Sequence, residues 1–302
     1  MGMVTKSSTS RKIFNVFNYG FFLMFTFICV YPLWYVLSYA ISNPQLAAQE
    51  GVTFLPIGFT LSNFQQVFTL DGLFNSLLIS ILRTVIGTSG TVLCCMWLGY
   101  VFTKDRMPGR TILYRFLIIT MYISGGMIPT FLVYRAYGLL DNFWVYILPY
   151  LVSPYYVILI KTFIEQLPAS MEESAMLDGA GSLTIYFRII LPLSMPIVAT
   201  IAVFAGVGQW NQWFDNHIYT FNTKSLTTMQ YMLYNYLSEA QRLADELAAA
   251  RGLDAIARMQ QSLTPRTVRM TVTMITVLPV LAIYPFFQRY IVKGIMVGAI
   301  KG

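Results

Sequence analysis

The chain has 302 residues, of which only 11% are charged and 56% apolar, and its formal net charge is +7. A soluble domain carries about 25% charged residues, so this composition excludes an ordinary soluble protein. The positive charge does not mark a nucleic-acid surface either, because the basic residues flank apolar blocks and form no single stripe.

Blocks of about 20 apolar residues cross a hydrocarbon core of about 30 Å only as helices, since lipid offers the backbone no partners. The blocks predict six spans, at about 14–41, 74–102, 112–134, 142–163, 193–213 and 271–290. The expected fold is an all-α integral membrane bundle, a single domain over 1–302. Lys6, Arg11 and Lys12 ahead of the first block resemble the start of a signal peptide. The block is too long for one and no convincing small-residue cleavage site follows, so it reads as a retained span. Cys29, Cys94 and Cys95 lie within spans and form no CxxC pair, which reads as small buried residues.

Orientation follows from Lys and Arg near the span ends. One side collects Lys6, Arg11, Lys12, Lys104, Arg106, Arg110, Arg115, Lys161, Arg188, Arg289, Lys293 and Lys301, which is 12. The other holds Arg135, Lys224, Arg242, Arg251, Arg258, Arg266 and Arg269, which is 7, six of them in one long loop. Long loops count little, so the first side is the cytoplasmic one and both termini lie there. The loop 42–72 has no Lys or Arg, in agreement. The extracytoplasmic loop 214–270 is the one sizeable soluble part. Leu226, Met229, Met232, Leu233, Tyr236 and Leu237 recur at helical spacing and predict helix over 226–262. A surface helical hairpin and a docking surface for an extracytoplasmic partner both account for it.

The cytoplasmic connection 164–192 is the most informative segment. Ser170 and Glu173 have capping-box spacing, which predicts a helix from Met171. Gly179 to Gly181 can end it, and a second short helix then leads to Pro192. The product is a short helix exposed as a rigid knob. Its residues Glu173-Ser174-Ala175, Gly179, Ile189 and Leu191-Pro192 resemble the signature of the permeases of ATP-binding-cassette (ABC) importers at every spacing, with Ser174 in place of the middle alanine. The resemblance implies the type I permease fold. It also implies that the knob is a coupling helix seated in a cleft of a separate ATPase, with Glu172, Glu173, Ala175, Asp178, Gly179, Ile189, Leu191 and Pro192 as ATPase-coupling residues.

The stretches Met121–Thr130, Gly208–Asp215 and Gln288–Gly302 resemble the maltose-type oligosaccharide permeases, in particular their smaller subunit. That resemblance implies a heterodimer with a second permease, an ABC ATPase dimer that binds the ATP, an extracytoplasmic solute-binding protein and an oligosaccharide cargo. The chain itself then holds no cofactor. From the residues alone, Trp210, Asn211, Trp213 and Asp215 offer aromatic faces and polar groups for a sugar, and an interfacial aromatic belt accounts for them as well. Arg83 is the one ionisable residue well inside a span, so it should face a wet cavity or a partner group. An anionic substrate, a backbone carbonyl or the second permease would each serve.

Other chemistry is missing from the sequence. No GxxxxGK[ST] loop or GxSxG elbow occurs, and His217 is the single histidine, so neither ATP binding nor catalysis nor a metal site is expected. Two rival readings stand beside the sugar permease. One is an importer permease for a non-sugar solute. The other is an ion-coupled secondary transporter, which the lack of intramembrane acids and of internal repeats disfavours.

Overall fold

The computed structural model describes residues 9–249 and 263–299, and every regular element among them is helical. In chain order these are α1 (Thr9–Ala40), α2 (Ser62–Phe68), α3 (Leu73–Val101), α4 (Arg110–Ile119) and α5 (Met127–Ala136). Two 3₁₀ turns, Phe143–Tyr146 and Leu148–Tyr150, precede α6 (Pro154–Ile164) and α7 (Ala169–Leu177). A helical arm then runs from Ser182 to Leu193 through a π-helical stretch, Tyr186–Ile190. It is followed by α8 (Met195–Asn211), α9 (Phe214–Tyr219), α10 (Met229–Ala249) and α11 (Leu263–Ala299).

Among the described residues three helical segments are long and apolar enough to cross a membrane: α1, α3 and Arg266–Ile283 within α11. Two bent pairs raise the number to five, Phe143–Tyr150 with Pro154–Ile164 at 43° and Ser182–Leu193 with Met195–Asn211 at 77°. The expected span 112–134 is not one helix. It is α4 and α5, with Thr120–Gly126 between them. Ser124-Gly125-Gly126 explains the break, because glycine is a poor helix former and Gly126 sits at φ +80°. The expected span 142–163 bends where Pro149 and Pro154 remove backbone donors. The helix expected over 226–262 starts at Met229, and its residues 250–262 lie outside the described residues.

Packing divides the described chain into two compact units. One comprises residues up to Leu70 with Tyr236–Ile275. In it the large apolar side chains of α1 from Ile13 to Trp34 are exposed, as suits a helix apolar all round and facing lipid. Its buried centre holds Tyr39, Ala47 and Val52, and Asn63 Nδ2 donates to the Ala40 and Ser42 carbonyls at 2.7 Å each.

The other unit comprises Asp71–Asn235 with the chain from Thr276 onward. Its axis is α3, which packs on α6 and α8. Helices in lipid gain nothing from mutual hydrophobicity, so close approach depends on small residues. Gly99 supplies that at the α6 crossing: a Cβ there would stand 2.5 Å from Ile160 Cγ2 and 3.3 Å from the Lys161 backbone nitrogen. Cys95, Met96, Tyr100, Val157, Ile160, Ile185, Tyr186, Ile190 and Ile201 are buried together around this crossing.

Candidate functional site

Two constructions in this second unit bear on function. The first is α7 and the arm that follows it. The helix starts at Ala169, two residues before the expected Met171. Pro168 takes the N-cap position at φ −61° and ψ 122°, and its carbonyl accepts from Met171 N–H at 3.1 Å. Ser170 therefore lies inside the first turn and makes no cap, so the Ser170–Glu173 box does not form. The other end is as the glycines require. Gly179 sits at φ +80°, Ala180 N–H donates to Ala175 O at 2.9 Å and Gly179 N–H to Met176 O at 3.0 Å, which is a complete Schellman stop.

The helix has two faces. Glu172 pairs with Lys104, whose Nζ also lies 4.2 Å from the Tyr100 ring centre, and Tyr100 Oη donates to the Ser182 carbonyl at 3.2 Å. Ala175 and Leu191 pack on the buried cluster, and Ile189 is half-buried. These groups bind α7 and the arm to the end of α3. Outward stand Met171, Glu173, Met176, Asp178 and Gly179, with Leu177 at 90% exposure, and Pro192 is exposed on the arm.

The second construction is a buried ion pair beside a cavity. Arg83 on α3 and Asp215 on α9 are each 1% exposed. Nη1 donates to Asp215 Oδ1 at 3.0 Å and Nη2 to Oδ2 at 2.5 Å, a bidentate fork. Nη1 also donates to the Gln212 carbonyl at 3.1 Å and Nε to Gln209 Oε1 at 3.1 Å. The guanidinium lies 4.6 Å from the Tyr146 ring centre. Asp215 Oδ1 accepts a further bond from Asn216 N–H at 2.8 Å. Gly87 makes the arrangement possible, since a Cβ there would lie 2.7 Å from Gln209 Nε2. Of the three partners open to Arg83 in the sequence, a carbonyl of the same chain is realised, that of Gln212, together with the Asp215 carboxylate.

A cavity of about 440 Å³ opens beside the pair, between α3, α8 and the bend before α6. Arg83, Tyr150, Tyr156, Gly208, Gln209 and Gln212 are among its walls. The bend is tied to α3: Thr91 Oγ1 donates to the Tyr150 carbonyl at 2.9 Å, and Ser153 N–H donates to Cys95 Sγ at 3.4 Å. Gln212 Nε2 donates to Tyr150 Oη at 3.2 Å.

The other expected sugar-facing residues do not line this cavity. Trp210 is buried on a different face of α8 and donates through Nε1 to the Thr276 carbonyl at 2.9 Å. Asn211 Oδ1 accepts from Gln230 Nε2 at 3.0 Å. Trp213 stacks on Tyr234 at 4.0 Å and 13°, and His217 Nδ1 lies 3.3 Å from Tyr231 Oη. Beside Asp215, burial and the neighbouring carboxylate both raise the Tyr219 phenol above its usual range. The residues missed were Gly208, Gln209 and Gln212. With Ala205 they form an i, i+3, i+4, i+7 stripe of small and polar positions in an apolar helix, and that stripe was readable.

A chain with apolar spans, a stopped surface helix and a largely apolar cavity with a few polar groups among its helices has the build of a membrane transport component. It belongs to the family described as binding-protein-dependent transport system inner membrane component, whose pattern matches residues 92–297. Among its relatives is the polygalacturonan/rhamnogalacturonan transport system permease protein YtcP of Bacillus subtilis, 33% identical over 97% of this chain and 99% of that one. Protein LplC of the same organism is 35% identical over 98% and 97%. The fold matches a chain in the crystal structure of a bacterial ABC transporter involved in the import of the acidic polysaccharide alginate. That match has a TM-score of 0.79 and 26% identity, and covers 95% of this chain and 99% of the other. The chain is thus a permease component of a binding-protein-dependent transport system, a transport subunit and not an enzyme.

Proposed function

We propose that this chain is the smaller permease of a heterodimeric importer that carries oligosaccharides across the cytoplasmic membrane. A second permease completes the pore, an ABC ATPase dimer supplies the work and an extracytoplasmic binding protein delivers the cargo. The chain crosses the membrane six times, both termini are cytoplasmic, and α4 with α5 forms the broken third span. The sugar transport named for YtcP and for the alginate importer supports the cargo class.

The observation that carries the coupling role is the two-faced α7. Its inner face is fixed to α3 through Glu172 and Lys104, while Met171, Met176 and Leu177 are exposed apolar side chains on a cytoplasmic surface. Such side chains on a membrane-proximal knob support docking in an apolar cleft of the ATPase, with Glu173, Asp178 and Gly179 at its edge. Force on the knob then passes to α3 and, through Ile189, Leu191 and Pro192, to α8.

The test is co-purification from native membranes with a Gly179→Asp variant alongside. A Cβ at Gly179 meets nothing within 4 Å, but a left-handed φ costs a non-glycine residue about 1–2 kcal/mol. The variant should therefore remain in the membrane with an altered knob. The expected result is an ATPase and a second permease bound to the wild type, with the ATPase lost or uncoupled in the variant. Unimpaired sugar uptake by the variant would reject the coupling role. A wild-type chain recovered alone from transporting membranes would reject the importer.

A further inference from the structure

The geometry points to the cavity beside Arg83 as a sugar subsite that reads ring hydroxyls and carries no unpaired positive charge for the cargo. The inference rests on the importer reading above and adds to it which part of the cargo this subunit recognises.

Size comes first. About 440 Å³ falls within the roughly 300–1,000 Å³ of small-molecule sites, enough for a short stretch of a sugar chain. The polar groups come next. Tyr150 Oη accepts from Gln212, so its own O–H remains to donate into the cavity, and Gln212 Oε1 remains to accept. Tyr156 adds a second aromatic wall. Gly208 leaves the α8 side of the cavity bare: a Cβ there meets no heavy atom within 4 Å, and its backbone is ordinary helix.

The charge is the deciding feature. Arg83 is the one charged residue lining the cavity, and both of its Nη atoms already hold Asp215. A cargo carboxylate arriving here meets a guanidinium whose charge is matched in a bidentate fork. To recruit it, the cargo would have to leave Asp215 buried without its partner, which is strongly unfavourable. The cavity therefore presents donors and acceptors suited to hydroxyls, and apolar faces suited to the C–H side of a ring. Arg83 is a positioning residue that sets Gln209 and Gln212 in the wall.

The test uses the assembled importer in proteoliposomes with its binding protein. Uptake is measured for a neutral and a uronate oligosaccharide of equal length, together with basal ATPase activity. Gly208→Leu fills the cavity from a position with open space, so uptake should be lost while assembly and basal ATPase persist. Gln212→Leu removes one neutral hydrogen-bonding group and should slow uptake about fivefold, by the same factor for every cargo carried. Unimpaired uptake by Gly208→Leu overturns the subsite while leaving the importer reading intact. A Gln212→Leu loss confined to the acidic cargo overturns the assignment to hydroxyls. A wild-type complex that carries neither sugar removes the sugar reading and the subsite together.

Discussion

Arg83→Gln should be among the most damaging single changes in the chain, and the reason lies in what it leaves behind. Asp215 is 1% exposed, and its carboxylate would keep one backbone donor, Asn216 N–H, in place of a full guanidinium fork. Breaking a buried pair by removing one partner costs about 3–5 kcal/mol, well above the 0–1 kcal/mol of an exposed pair. Gln209 Oε1 and the Gln212 carbonyl lose a charged donor at the same time. The assay is the midpoint for heat-induced loss of the assembled complex in mild detergent, with abundance in the membrane as a second readout. Arg83→Gln and Asp215→Asn should each lower the midpoint by several degrees. The double variant Arg83→Met with Asp215→Leu should recover most of the loss, because an apolar replacement leaves no orphaned charge. Raising the salt concentration should change little, since a pair this buried is poorly screened. Two singles indistinguishable from wild type, or a double variant whose loss equals the sum of the singles, would refute the reasoning.

Two further outcomes follow from the packing. Gly99→Ala should destabilise the complex by about 1–3 kcal/mol, since its Cβ meets the branched Ile160 and the Lys161 backbone. Gly90→Ala, facing only the movable Leu151 Cδ2, should be milder in the same thermal assay. Glu172→Gln should change that midpoint little, because a partly exposed pair contributes up to about 1 kcal/mol. It should still lower transport per ATP hydrolysed, because the tie from α7 to Lys104 is weakened. Unchanged stoichiometry would remove Glu172 from the coupling route.

The knob was legible because its determinants are local. Gly179 alone fixes where α7 stops, and the signature spacing from Glu173 to Pro192 is a matter of counting residues. The start differs because Ser170 and Glu173 have the right spacing for a cap, yet Pro168 sets the first turn two residues earlier. The Ser124-Gly125-Gly126 break was equally local, but it was hidden inside an apolar block whose length dominated the reading. The Arg83–Asp215 pair lay beyond reach for a different reason. Its members are 132 residues apart, and nothing local couples them. The end of α8 at Asn211 lies close to the expected 213. Trp210 attracts the eye as a sugar platform, while the face turned to the cavity belongs to Gly208, Gln209 and Gln212.

The 77° corner between the Ser182–Leu193 arm and α8 has a mechanical meaning. The cosine of that angle is about 0.2, so a displacement along the arm reaches α8 with only about a fifth of its length along the second axis. Nearly all of it arrives sideways. Under the proposed coupling the corner would act as a bell crank, turning a pull at one end into a lateral slide at the other. Such a slide of α8 against α3 would change the width of the space between them, with Gly208 and Gln209 on the moving edge.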